Sequence, residues 1–201
     1  MKTMFHEYKN LKLKIMSKKT MLTILAVAAI SFTAMSQKLV TSKSNIKFHS
    51  HTAAEDIDAN NTKAVGTIDT KTGEVVYSVP MQAFEFEKAL MQKHYNSPKF
   101  LDTKQFPKAK LTGKITNLSN VDFSKDGTYK VTVKGEMDMH GVKNPIEEQA
   151  TITIKDGKVS VATKFKIILA DYKVAFEKGK PSTNIAKEVE VTVNAEYITK
   201  S

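Results

Sequence analysis

The sequence contains no Cys, no Trp and no Arg. Without Cys, a disulfide scaffold, a thiolate zinc site and a cysteine nucleophile are excluded. All 31 basic residues are Lys, which argues against nucleic-acid recognition, where guanidinium groups read guanine and hold phosphate. What remains is a chain of 201 residues, 41% hydrophobic and 26% charged, which is sufficient for one domain with a buried core.

The N-terminal part of the chain has the pattern of a secretory signal. An uncharged apolar run over 21–35 follows Lys18 and Lys19 and ends at the small residues Ala34 and Ser36. We therefore predict a signal peptide at 1–36 and a periplasmic or secreted domain at 37–201. Met16 begins a compact signal of its own, so we expect it to be the true start and 1–15 to be a start-site artefact. The alternative is a membrane anchor, but the run is shorter than the roughly 20 residues of a spanning helix, so no stable membrane insertion is expected after cleavage.

Apolar and polar residues alternate along most of the remaining chain, with a net charge of only +5. Between Tyr129 and Met139 every second residue is apolar or small, and the residues between them are Lys, Thr, Glu or Asp. This period of two is typical of a half-buried β-strand. The same pattern predicts about eight strands, at 46–52, 63–69, 74–80, 109–118, 129–139, 145–154, 159–169 and 189–197.

One segment departs from this alternation. Phe86, Leu90, Met91 and either His94 or Tyr95 recur at helical spacing, so the sequence predicts one short helix over 86–95. An irregular loop bracketed by Pro98 and Pro107 follows it. The fold class expected is all-β, with a single domain.

Eight antiparallel strands with one apolar face form a sandwich or close into a barrel. An eight-stranded barrel is either filled by its own side chains or holds one ligand. Several inward positions carry small residues, which favours an internal cavity, whereas interdigitation of large and small side chains would give an ordinary filled core. These small inward residues are Ala109, Gly113, Gly135, Ala150, Thr163 and Ala195.

Two motifs resemble the signature of the YceI-like family. The first is the run HYNSPKFLDTKQFPKAKL from His94 to Leu111, and the second is GEMDMHGVKNPI from Gly135 to Ile146. The resemblance extends over nearly all of 37–201. It implies a lipocalin-like antiparallel β-barrel of about eight strands with one short helix after the fourth strand. It also implies a secreted or periplasmic protein that binds a long polyisoprenoid chain in an apolar tunnel, with no catalytic residues and no cofactor other than such a bound lipid.

If the barrel holds a lipid, inward apolar residues form its wall. For each of them, plain core packing is the alternative. The candidates are Phe48, Met81, Met91, Val131, Val133, Met137, Ile152, Val161, Phe165, Val191 and Val193.

A phosphate or quinone head group at the mouth of the barrel would meet lysines of the segment 93–110. These are Lys93, Lys99, Lys104, Lys108 and Lys110, for which a solvated surface is the alternative. His94 and His140 are expected to brace loops by hydrogen bonds to backbone. No metal site is expected, although His49 and His51 lie two apart on a polar strand face where they could meet a carboxylate or a metal.

Two other functional classes stay open at this point. One is an enzyme that modifies the bound lipid, with Asp138 and His140 as its first candidates. The other is a partner-binding secreted domain with a filled core. An unpaired edge strand would also allow a homodimer.

Overall fold

The computed structural model describes residues 37–53, 55–177, 180–181 and 185–200. The predicted signal peptide at 1–36 lies outside these residues. The described part is dominated by antiparallel strands, which we number β1 to β12, and it contains the helix α1 at Ala89–Asn96. The strands are Lys38–His51 (β1), Asp56–Asn61 (β2), Val65–Asp69 (β3), Glu74–Pro80 (β4), Glu85–Phe86 (β5), Lys108–Ile115 (β6), Gly127–Met139 (β7), Val142–Lys155 (β8), Lys158–Ile168 (β9), Phe176–Glu177 (β10), Lys180–Pro181 (β11) and Glu188–Thr199 (β12).

Eight of these strands form a closed antiparallel barrel. The order around it is β12, β9, β8, β7, β6, β4, β3 and β1, and the ring closes where β1 pairs with β12. That closing ladder runs from Leu39 opposite Thr199 to His49 opposite Glu190. β2 pairs with the second half of β1, and the two-residue β5 pairs with β2. The barrel expected from the sequence is therefore confirmed.

The eight predicted strands correspond to the eight strands of the barrel, with differences at their ends. The first begins at Lys38 rather than at residue 46, because its early residues are mostly polar and pair with β12 through backbone. β2 was missed because its sequence, DIDANN, carries only Ile57 and Ala59 as apolar residues. The helix begins at Ala89 rather than at residue 86, since Phe86 belongs to β5.

Two tight hairpins set the register of β7, β8 and β9. His140 and Gly141 both have positive φ, 54° and 74°, and so do Asp156 and Gly157, 50° and 72°. Two central residues with positive φ make a turn whose twist matches that of the flanking strands. This register places the same face of all three strands toward the lumen.

One end of the barrel is filled by its own side chains. Six β-branched residues from five strands are almost fully buried there, and their packing closes the lumen at that end. They are Ile68, Ile115, Val131, Ile152, Ile154 and Val159.

Within the described ranges, no helix combines the length and the apolar character needed to cross a membrane.

Candidate ligand-binding cavity

A cavity of about 480 Å³ occupies the lumen above this filled end. Its volume lies in the range of ordinary small-molecule pockets, roughly 300–1,000 Å³. The wall is made mostly of aliphatic and aromatic side chains from β1, β4, β6, β7, β8, β9 and β12, together with residues of α1 and the loop after it. An apolar chain is the ligand that such a wall favours, because burial of hydrocarbon is stabilising without specific geometry.

Nine of the eleven proposed wall residues lie on this cavity. They are Phe48, Met81, Met91, Val133, Met137, Val161, Phe165, Val191 and Val193. The other two, Val131 and Ile152, do not line it. Both are 1% exposed, since they belong to the packing that fills the closed end. Their assignment to the cavity wall is therefore wrong.

The small inward residues have two different roles. Ala109, Ala150, Thr163 and Ala195 line the cavity, so their short side chains leave space in the lumen. Gly113 and Gly135 do not line it. They lie opposite each other on β6 and β7, where the two backbones approach too closely for any side chain.

Aromatic rings cluster on one side of the cavity. The Tyr95 ring stacks on Phe48, with 5.8 Å between ring centroids, and lies 4.9 Å from Phe86. Phe84 and Phe100 complete the group. The Tyr95 hydroxyl is buried and makes no hydrogen bond with any residue that the structure describes. Burial raises the pKa of this hydroxyl well above its ordinary value, so Tyr95 is a neutral potential donor in the cavity wall.

Buried polar side chains fix α1 and the loop after it against the barrel. Thr103 is fully buried, and its hydroxyl donates to Asn96 Oδ1 at 2.7 Å. Asn96 Nδ2 donates to the Gln92 carbonyl at 2.9 Å, and Gln82 Nε2 donates to the Thr103 carbonyl at 3.1 Å. Sequence reasoning did not identify these residues, because Asn and Thr are ordinary loop residues until their burial is known.

The barrel wall opens between β8 and β9. The paired residues run from Lys155 opposite Lys158 to Ala150 opposite Thr163. The pairing ends there, although both strands continue. We call the space between 142–149 and 164–168 the β8–β9 gap. Beyond the gap, Asn144 Nδ2 donates to the Asp171 carbonyl at 2.8 Å, which ties β8 to the short 3-10 turn Leu169–Tyr172.

His140 makes a second tie across this end, whereas His94 does not. His140 Nδ1 lies 2.9 Å from the Tyr172 carbonyl oxygen, and its ring packs edge-on against Phe106. The His94 imidazole forms no hydrogen bond with the residues described, and it lines the cavity instead. His94 therefore does not brace a loop through its side chain, because it lies exposed on α1 at the edge of the cavity.

Two acidic residues line the cavity, Glu55, which pairs with Lys88 at 3.2 Å, and Glu148. Glu148 was not expected from the sequence. It lies on the inner face of β8 between Ile146 and Ala150, and all three residues line the lumen. Burial raises the pKa of its carboxyl group. Sequence reasoning missed it, although the inward register of β8 passes through this position.

A buried polar pair lies near the filled end. The Ser44 hydroxyl and the Tyr77 hydroxyl are 2.6 Å apart, and Tyr77 lines the cavity. Each hydroxyl group is the hydrogen-bond partner of the other, so neither is left unsatisfied in this part of the wall.

The predicted head-group lysines lie outside the cavity. Lys93, Lys99, Lys104 and Lys108 are exposed and do not line it, while Lys110, also exposed, reaches its edge. These lysines therefore do not form a positively charged opening to the cavity.

His49 and His51 meet carboxylates across the β1–β2 pairing. His49 Nδ1 lies 3.0 Å from Asp58 Oδ1, and His51 contacts Asp56. Among the described residues, no group of three or more His, Cys, Asp or Glu side chains is arranged to hold a metal ion. The two histidines stabilise the outer face of β1 as exposed pairs.

Comparison with known proteins gives one family match. The model of the YceI-like domain matches residues 37–197. No curated protein sequence matches the chain.

Solved structures share the fold at low sequence identity. A polyisoprenoid binding domain from Saccharophagus degradans, implicated in plant cell wall breakdown, is 16% identical with a TM-score of 0.68, covering 81% of this chain and 98% of that one. BcnA from Burkholderia cenocepacia is 13% identical with a TM-score of 0.64, covering 76% and 95%. A YceI protein from Campylobacter jejuni is 18% identical with a TM-score of 0.51, covering 69% and 81%.

Proposed function

The chain belongs to the YceI-like domain family, and from this premise we propose that it is a lipid-binding protein that holds one long apolar chain, of the polyisoprenoid or quinone type, inside the barrel. The observation that carries the proposal is the 480 Å³ apolar cavity within the closed barrel. The similar domain from Saccharophagus degradans is described as polyisoprenoid binding, which supports the same class of ligand.

The physical basis of binding is hydrocarbon burial. Each methylene group transferred from water to the cavity contributes about 0.8 kcal/mol, so a chain of several isoprene units binds without many polar contacts. Met81, Met91 and Met137 lie on the wall, and their flexible side chains adapt to a flexible ligand.

The cavity favours binding over the two alternatives. A partner-binding domain with a filled core would lack such a space. A lipid-modifying enzyme would need Asp138 and His140 at the ligand, but neither lines the cavity, and the His140 imidazole is engaged with the Tyr172 carbonyl. We therefore propose a carrier or store without catalysis.

A secreted or periplasmic location belongs to the same proposal and is supported by the signal pattern over 18–36. A homodimer stays a prediction.

Replacement of Ala150 by Phe tests the proposal. Ala150 lines the lumen, so a phenyl ring at this position fills part of the cavity. Ala162, exposed on the outer face of β9, provides the matched control as Ala162→Phe. Val193→Phe, also on the wall, is a second variant in case Ala150→Phe does not fold.

The measurement is lipid content by mass spectrometry of an organic extract of each purified protein, with a thermal melt to establish folding. We expect about one isoprenoid lipid per molecule in the native protein and in Ala162→Phe, and a loss of about tenfold or more in the folded cavity variants. Equal lipid content in all folded variants, or none in the native protein, would overturn the proposal.

A further inference from the structure

The inner wall of the barrel carries one carboxylate at the edge of the β8–β9 gap. Glu148 faces the lumen, and the register that ends at Ala150 and Thr163, continued by two residues, places it opposite Phe165. Ile146 and Phe165 line the cavity on either side of it. A charged group is thus set into an apolar wall at the point where the barrel opens.

This carboxylate has no partner within the described part of the chain. Its neighbour Glu147 points outward and pairs with Lys134 at 2.9 Å. The nearest outward lysines of β9 are also paired, Lys164 with Glu190 and Lys166 with Glu188. Burial raises the pKa of the Glu148 carboxyl group, and no nearby cation lowers it. Glu148 is only half-buried at the gap, so a hydrogen-bond donor of a bound head group would take the place of solvent at this carboxyl group.

The chemistry of this group selects among ligand head groups. A carboxylate accepts hydrogen bonds, and its charge repels phosphate at close range. We propose that Glu148 is the head-group acceptor of the cavity, so that the protein takes apolar chains ending in a hydrogen-bond donor, a hydroxyl or an amino group, in preference to chains ending in phosphate. The inference rests on the proposed function and specifies its ligand class.

The two donor head groups differ in charge. A hydroxyl hydrogen-bonds to either protonation state of Glu148, whereas a protonated amine forms an ion pair only with the carboxylate. Ligands that share one chain and differ only in the head group separate these cases.

The test uses geranylgeraniol, geranylgeranylamine and geranylgeranyl monophosphate, each below its aggregation concentration. Dissociation constants are measured by isothermal titration calorimetry for the native protein and for Glu148→Gln. Glu147→Gln is the matched control, because it removes the adjacent carboxylate from the outer face of the same strand.

For the native protein we expect the alcohol or the amine to bind about tenfold or more tightly than the monophosphate. In Glu148→Gln we expect this preference to fall to within about threefold, chiefly because the monophosphate binds better, and in Glu147→Gln we expect it to be unchanged. Tight binding of all three ligands to the native protein without preference would overturn the inference and leave the proposed function standing. A preference in Glu148→Gln equal to that in Glu147→Gln would do the same. Failure of all three ligands to bind would overturn the proposed function and the inference with it.

Discussion

Gly135 on β7 lies so close to Gly113 on β6 that a Cβ atom at residue 135 would come within 2.5 Å of the Gly113 Cα and 2.3 Å of the Thr112 carbonyl oxygen. Both contacts are with backbone, which cannot swing aside as a side chain can. We expect Gly135→Ala to force β6 and β7 apart and to lower the free energy of unfolding by about 1–3 kcal/mol, the usual range for overpacking. Urea denaturation measures the change.

Ala162→Val is the control for this substitution. It also adds carbon atoms to a strand, but at an exposed position, so a change within about 0.5 kcal/mol is expected. Equal stability of Gly135→Ala and the native protein would show that the close approach of the two strands is not a constraint.

Two tyrosines of the cavity wall are expected to respond oppositely to the loss of their hydroxyl groups. The Tyr95 hydroxyl is buried without a described partner, whereas the Tyr77 hydroxyl hydrogen-bonds to Ser44. Tyr95→Phe should leave the free energy of unfolding unchanged or raise it by about 1 kcal/mol, because it removes an unsatisfied polar group. Tyr77→Phe should lower it by about 1–3 kcal/mol, since it leaves the buried Ser44 hydroxyl unpaired. Chemical denaturation of the two variants decides, and a comparable loss in both would contradict the assignment.

The two histidines of the family motifs are expected to differ in their effect on stability. His140→Asn removes the contact with the Tyr172 carbonyl, and Asn tolerates the positive φ of this position. A loss of about 1 kcal/mol is expected in the free energy of unfolding. His94→Asn, at an exposed position without a described hydrogen bond, should change it by less than about 0.5 kcal/mol. The expectation fails if the His94 variant is the less stable of the two in thermal melts.

Glu148 should make stability depend on pH. Its pKa is raised in the folded protein from the ordinary value of 4.5, so the native state keeps a proton that the unfolded chain has already lost. The native state then binds more protons than the unfolded state, and stability decreases as the pH rises through this window. Glu148→Gln lacks this effect, so its stability relative to the native protein should increase between about pH 3.5 and about pH 7.5.

Urea denaturation at both pH values measures this difference. Glu147→Gln serves as the control, because Glu147 is paired with Lys134 outside the barrel. A difference between Glu148→Gln and the native protein that is the same at both pH values would contradict the burial of Glu148.

Much of the fold could be predicted because the barrel strands alternate clearly. The register of Val159, Val161, Phe165 and Ile167 toward the lumen follows from period two alone. The extent of β1 and the existence of β2 could not be predicted in this way, since both are held by backbone pairing of polar residues. Strand pairing of this kind leaves no hydrophobic pattern in the sequence.

The cavity was harder to predict than the fold. Alternation identifies inward residues but does not say at which height of the barrel they lie, so Val131 and Ile152 could not be distinguished from Val133 and Val161. Glu148 was a detectable signal, because it lies between the apolar residues Ile146 and Ala150 on the inner face of β8. The burial of Asn61 and Thr103 depends on how the loops fold over the barrel, which is a tertiary property.

A crystal structure of the protein grown with geranylgeraniol tests the central claim most directly, because it shows whether the lumen admits a chain. We predict continuous tubular electron density between Phe48, Met137, Phe165 and Val191, with the filled end below it unchanged. A lumen occupied from wall to wall by the protein's own side chains, with the isoprenoid bound only outside the barrel or not at all, would contradict the account.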